Sequence, residues 1–242
     1  MRRIAMLLLL SILTACGDGK DESTSEAKSV VYNTAAAKWP NPRAIPVCVM
    51  NKNSVGRTLF NDIKNYVTHE YTAKTGVNFT GWESCTSPQL SAKVIRIYFN
   101  LTYNWASSGA IMAGGGLSMV GTSSSSCGSG CAGGTMRLDI GRSGEFPPTG
   151  SSYSTFIVNH TRASAMHEFG HALGLMHEQQ RADAVGCVYS EGNVISGPPY
   201  VYIGAYDTTS IMNYCHAGTV TTLSPGDVAG IDFLYPVLLT GH

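Results

Sequence analysis

Residues 167–178 read His-Glu-Phe-Gly-His-Ala-Leu-Gly-Leu-Met-His-Glu, and they restrict the fold more than any other stretch of the chain. Side chains four apart lie one turn above each other on the same face of a helix. His167 and His171 therefore point the same way if the segment is helical. Gly174 then offers a backbone that turns left-handed at little cost, so the chain can leave the helix sharply and swing His177 back toward the first two imidazoles. Met166, Phe169, Leu173 and Met176 recur at helical spacing, roughly 150° around from the histidines. One side of this helix is expected to bury while the other lines a cleft. Thr161 or Ser164 is placed to cap its start.

Three imidazole nitrogens brought to one point suit a zinc ion. With no fourth protein ligand in the motif, one position stays open for water, as a catalytic site requires and a structural one does not. Glu168 sits beside the pair as a proton acceptor. Four other histidines, His69, His160, His216 and His242, have no ligand spacing and read as surface or structural residues.

The rest of the chain supplies an α+β frame. Residues 45–50 read as a first strand. Residues 57–74 have helical spacing, with Leu59, Phe60, Ile63, Val67 and Tyr71 on one side and Gly76 as a stop. Strands follow at 77–82 and 94–99, where Ile95, Ile97 and Phe99 alternate with Val94, Arg96 and Tyr98. A Gly/Ser-rich stretch covers about 107–134. Met136, Leu138 and Ile140 then share a face, and residues 156–158 form a short apolar run leading into a helix. This order predicts a twisted, mostly parallel sheet carrying helices.

The N-terminus reads as a targeting segment. Met1-Arg2-Arg3 is positive, residues 4–13 are apolar and too short to span a bilayer as a mature helix, and Leu13-Thr14-Ala15-Cys16 resembles the bacterial lipobox. On that reading residues 1–15 are a lipoprotein signal peptide and Cys16 is lipidated, anchoring an exported protein to a membrane. It would face the periplasm or the exterior. Gly17 rather than Asp follows, so an inner-membrane retention signal is not evident and an outer-membrane destination is open. Residues 16–38 are small, polar and without an apolar period, and are expected to be a flexible tether, with the folded domain over 39–240. Six cysteines remain: Cys48, Cys85, Cys127, Cys131, Cys187 and Cys215. An even number in an exported chain argues for three disulfides. Of the possible connectivities, local order favours Cys48–Cys85, Cys127–Cys131 and Cys187–Cys215. With 16 basic and 16 acidic residues the net charge is zero, which gives no electrostatic reason for a nucleic-acid partner.

Ser210-Ile211-Met212-Asn213-Tyr214 resembles the Met-turn of metzincins, the tight turn beneath the metal, with Met212 at its centre. Glu178 directly after the third His, and Tyr214 two residues after the Met, are similar to the signature of the astacin family. Trp39-Pro40 and Ile45-Pro46 resemble the start of its catalytic domain, so the likeness runs over about 39–236. It implies a metzincin-type zincin with two long helices and the sheet in an upper lobe, a cleft at the zinc, and a small irregular lower lobe. It also implies hydrolysis of a protein or peptide lying extended along an edge strand, with Glu168 as general base. Tyr214 would be a metal ligand that swings to stabilise the oxyanion, and Glu178 would bind a trimmed N-terminus. Asn213 departs from the His usual after the turn Met, and the ending, Leu223-Ser224-Pro225-Gly226-Asp227 through Leu234-Tyr235, is similar to the final helix of matrixins. A second class is a membrane-anchored binding or adhesion protein with a vestigial zinc site. The intact Glu168 speaks for the enzyme, since binding alone has no need of a base.

Overall fold

A computed structural model describes residues 29–101, 115–140, 153–187, 194–215 and 220–236. The signal segment, Cys16, His216 and His242 lie outside the described residues. Five strands form one sheet in the order β3 (Phe79–Ser84), β2 (Ile45–Val49), β4 (Ile95–Asn100), β6 (Met136–Asp139), β5 (Gly116–Ser118). The first four are parallel, and β5 pairs antiparallel with β6 at the edge. The expected mostly parallel sheet is therefore present.

Local chemistry explains its shape. The β2–β3 register slips between Val47 and Cys48, opposite Gly81, whose φ of +95° lies where only glycine is comfortable. A Cβ there would sit 2.6 Å from the Val47 carbonyl oxygen. The irregularity turns Trp82 inward, and its ring stacks on Phe169 with centroids 5.5 Å apart. The Cys48–Cys85 disulfide ties β2 to the end of β3.

Helix α1 (Arg57–Thr75) buries Phe60, Ile63, Val67, Tyr71 and Thr75, at spacings of three and four, and stops at left-handed Gly76. Helix α2 (Tyr153–Leu173) begins earlier than its sequence suggests. Thr161 and Ser164 are interior, and the Ser164 hydroxyl donates to the His160 carbonyl four residues back instead of capping an N-terminus. Capping signals misled here because from His160 to Leu175 the chain is buried on every side except at half-buried Arg162. Its apolar stripe therefore has no solvent face to contrast with. Met176 lies past the helix, beyond the Gly174 turn.

The tether ends sooner than expected. Strand β1 (Ser29–Tyr32) pairs antiparallel with β7 (Tyr200–Ile203) and bridges Leu175 through Val31. Val30 and Val31 are fully buried, so the folded unit includes residues 29–38. Four residues of Ser-Val-Val-Tyr are too few to show a period, which is why the sequence alone did not separate them from the polar stretch before them. Helix α3 (Pro225–Leu234) closes the lower lobe, opened by a reciprocal Ser224–Asp227 capping box.

Val31→Ala removes two methyl groups from this inserted strand. It is expected to lower the unfolding free energy by about 2 kcal/mol, read from the denaturant midpoint. An unchanged midpoint would show that β1 stands outside the cooperative fold.

Candidate metal centre

Helix α2 ends inside the protein, where its last carbonyls have no intrahelical donors. Each receives one from elsewhere. Leu175 N–H donates to the Gly170 carbonyl (2.9 Å), Gly121 N–H to His171 (3.0 Å) and Tyr32 N–H to Gly174 (2.8 Å). Trp39 Nε1–H donates to Ala172 (2.7 Å) and the Tyr235 hydroxyl to Leu173 (2.9 Å). Gly174 makes the exit with φ +108°, the left-handed turn its place in the sequence predicts. The chain then runs Leu175-Met176 against β1, with Met176 N–H donating to the Val30 carbonyl (2.9 Å), and delivers His177 to the face of α2.

The three imidazoles meet there. His167 Nε2 lies 3.1 Å and His171 Nε2 2.9 Å from His177 Nε2. All three ligand atoms fall within 4.8 Å of one another. A tetrahedral zinc with bonds of about 2.0–2.1 Å holds its ligands about 3.3 Å apart. The far nitrogens settle the tautomers. His167 Nδ1 faces the Ile211 carbonyl at 2.8 Å and His171 Nδ1 the Leu175 carbonyl at 2.9 Å, and a carbonyl oxygen accepts only from a protonated nitrogen. Both Nε2 atoms of the neutral rings therefore present lone pairs to His177 Nε2, which carries at most one proton and cannot serve both. A cation at the centre resolves that conflict, so the residues fit a metal. Burial first, and then His177 and His167, push the His171 pKa well below its usual value, which keeps the ring neutral and ready to coordinate.

Two glycines shape the surroundings. A Cβ on Gly170 would meet Met212 Sδ at 2.6 Å, so this glycine lets the buried methionine pack directly beneath the metal helix. A Cβ on Gly116, in edge strand β5, would overlap the Glu168 carboxylate, reaching its Cδ and Cγ at 2.7 Å. The edge strand thus passes directly against Glu168, which is itself buried. Neither glycine was singled out by the sequence reading. The only signal for Gly116 was the Gly/Ser-rich composition of the stretch around it.

The remaining predicted residues gather nearby. Tyr214 lies with its ring 4.4 Å from that of His177 and 5.5 Å from that of His167, centroid to centroid. Its backbone N–H donates to Gln179 Oε1 (3.1 Å), and the Cys187–Cys215 disulfide anchors the next residue. Asn213, the departure from the usual His, is fully buried. It donates to Tyr206 and to the Asp207 carbonyl, and accepts from Cys215 N–H. Glu178 is buried and accepts from Asp207 N–H (3.1 Å), with Arg181 Nε at 3.7 Å. Burial pushes its carboxyl up to about 7 against the pull of those partners. The third cysteine pair, Cys127–Cys131, is also formed. His69 is exposed and His160 buried, away from the cluster.

No established family profile matches the sequence. Zinc metalloproteinase nas-3 of Caenorhabditis elegans is 37% identical over 89 residues, which cover 33% of this chain. The match spans only 30% of that relative's length. Among solved structures, myroilysin superposes with a TM-score of 0.53 at 23% identity, over 86% of this chain and 98% of its own. High choriolytic enzyme 1, a hatching-enzyme zinc-protease from the medaka Oryzias latipes, superposes with a TM-score of 0.50 at 16% identity, over 84% and 96%. The fold is the one shared with myroilysin and high choriolytic enzyme 1.

Gly170→Ala is expected to destabilise the protein by about 1–3 kcal/mol through overpacking against Met212, with a lower thermal midpoint. A midpoint equal to that of the native chain would mean the turn yields without cost.

Proposed function

We propose that the protein is a zinc-dependent endopeptidase that hydrolyses protein or peptide substrates. The observation that carries the proposal is the passage of edge strand β5 across Glu168, beside three converging imidazoles. An extended peptide that adds to the side of β5 left unpaired among the described residues brings its scissile bond to that carboxylate. His167, His171 and His177 would hold the ion. A zinc ion bound there supplies Lewis acidity, polarising a carbonyl and lowering the pKa of water. One carboxylate oxygen of Glu168 accepts the proton of the attacking water and returns it to the departing amine. Its buried setting excludes competing solvent and keeps the carboxylate close to the strand. Tyr214, the fourth candidate ligand, donates its hydroxyl to the oxyanion as charge develops on the carbonyl. Met212 supports the imidazoles from below and takes no part in proton transfer.

The binding or adhesion alternative gains no specific observation, since a binding site has no use for a carboxylate held against a substrate-ready strand. We further place the enzyme outside the cytoplasm, lipid-anchored at Cys16. Six cysteines paired as three disulfides support an oxidising compartment. Residues 17–28 would then link the lipid to β1.

Metal-loaded protein incubated with a peptide library, with and without chelator, should yield cut ends only in the first case. Glu168→Gln should retain its zinc and lose turnover by about 10²–10⁴-fold; undiminished cleavage would reject the role given to Glu168. Gly116→Ala should lower kcat with zinc content unchanged, because the added methyl displaces that carboxylate. Wild-type kcat in this variant would show that the carboxylate position is not limiting.

A further inference from the structure

One run of hydrogen bonds leaves the metal centre and ends on a carboxylate in another element. His167 Nδ1–H donates to the Ile211 carbonyl at 2.8 Å. The same peptide group donates its N–H, that of Met212, to Ser210 Oγ at 2.9 Å. The Ser210 hydroxyl in turn donates to Asp227 Oδ1 at 2.6 Å. Every donor points the same way, so each link polarises the next. Ser210 and Asp227 are both fully buried, where such polarisation is least screened by water.

Asp227 has a second, separate task. Its Oδ2 accepts the N–H of Ser224 (2.9 Å), as the cap of α3, and the N–H of Ile211 (3.0 Å). That task needs only Oδ2. The Oδ1–Ser210 branch adds nothing to the helix cap, yet it is the branch that continues to His167. Burial pushes the Asp227 carboxyl up to about 6, which still leaves it ionised at neutral pH.

We propose that Asp227 and Ser210 are positioning residues for His167, forming with the Ile211–Met212 peptide a relay that fixes the imidazole and strengthens Nε2 as a metal ligand. Metal-bound histidines commonly donate their other N–H directly to a carboxylate or a carbonyl. Here the carbonyl is itself charged from behind by a hydroxyl and a buried carboxylate. The inference deepens the zinc reading above and rests on it.

The test uses the full chain as native protein, Ser210→Ala, Asp227→Asn and the double variant. Zinc affinity is read by competition with a chromophoric chelator, and the His167 Nδ1–H proton by NMR on metal-free protein. Each single variant should bind zinc about tenfold more weakly or worse. The double should be no weaker than the worse single, because both act through one relay. The Nδ1–H resonance should move upfield in each. Ser210→Ala keeps the α3 cap intact, so it serves even if Asp227→Asn folds poorly, and metal-free thermal midpoints monitor that. A lowered midpoint with native zinc affinity would overturn the proposal, as would losses that add in the double variant. Native protein that binds no zinc would instead defeat the metal reading, while the Nδ1–H resonance would still decide whether the relay exists.

Discussion

The buried C-terminal end of α2 is the constraint on which the rest of the structure depends. A helix that stops in solvent has water for its last carbonyls, but this one stops in the core, because its exit must throw His177 back onto its own face. Five carbonyls from Gly170 to Gly174 accordingly draw donors from five places along the chain: β1, the Trp39 segment, the loop after β5, the Gly174 exit turn and the residue following α3. Leaving one such group unsatisfied costs on the order of 1–3 kcal/mol. Both lobes are therefore organised around one helix terminus, and the geometry of the third imidazole follows from that organisation.

Much of this was readable from the sequence. The spacing of His167, His171 and His177 with Gly174 between them states a helix, a left-handed turn and a convergence, because those residues act through local backbone geometry. Helix α1 was equally plain, since it has one buried face and one wet one. What escaped reading acts through distance. Strand β1 is four residues long and finds its partners about 145 and 170 positions away, estimates of separation against which a local pattern has no purchase. The true start of α2 was hidden because a helix buried all round shows no periodic contrast. Gly116 and Ser210 look unremarkable until the fold sets one on Glu168 and the other behind His167.

The lower lobe adds a buried polar lattice to its apolar packing. Asp207 accepts from the Ser224 hydroxyl (2.7 Å) and from Thr209, while its own N–H serves Glu178. Arg181 joins Glu178 and Asp183 to the Ser29 and Gly204 carbonyls and stacks on Tyr202. Such a lattice has few alternative arrangements once its members are paired. That suits a lobe whose task is to hold the Met212 turn at fixed height beneath the imidazoles. A slipped apolar cluster could repack; a displaced carboxylate here would leave several donors unmet.

The donors that finish the α2 terminus also set an order in time. Tyr32 and Trp39 precede the helix in any chain delivered from its N-terminus, but Tyr235 follows Leu173 by 62 residues. Until its hydroxyl reaches the Leu173 carbonyl, the end of the metal helix is incomplete and the exit toward His177 is not held. A chain that folds as it is delivered therefore carries the three histidines well before it carries a finished site. The terminus is finished only once α3 has followed.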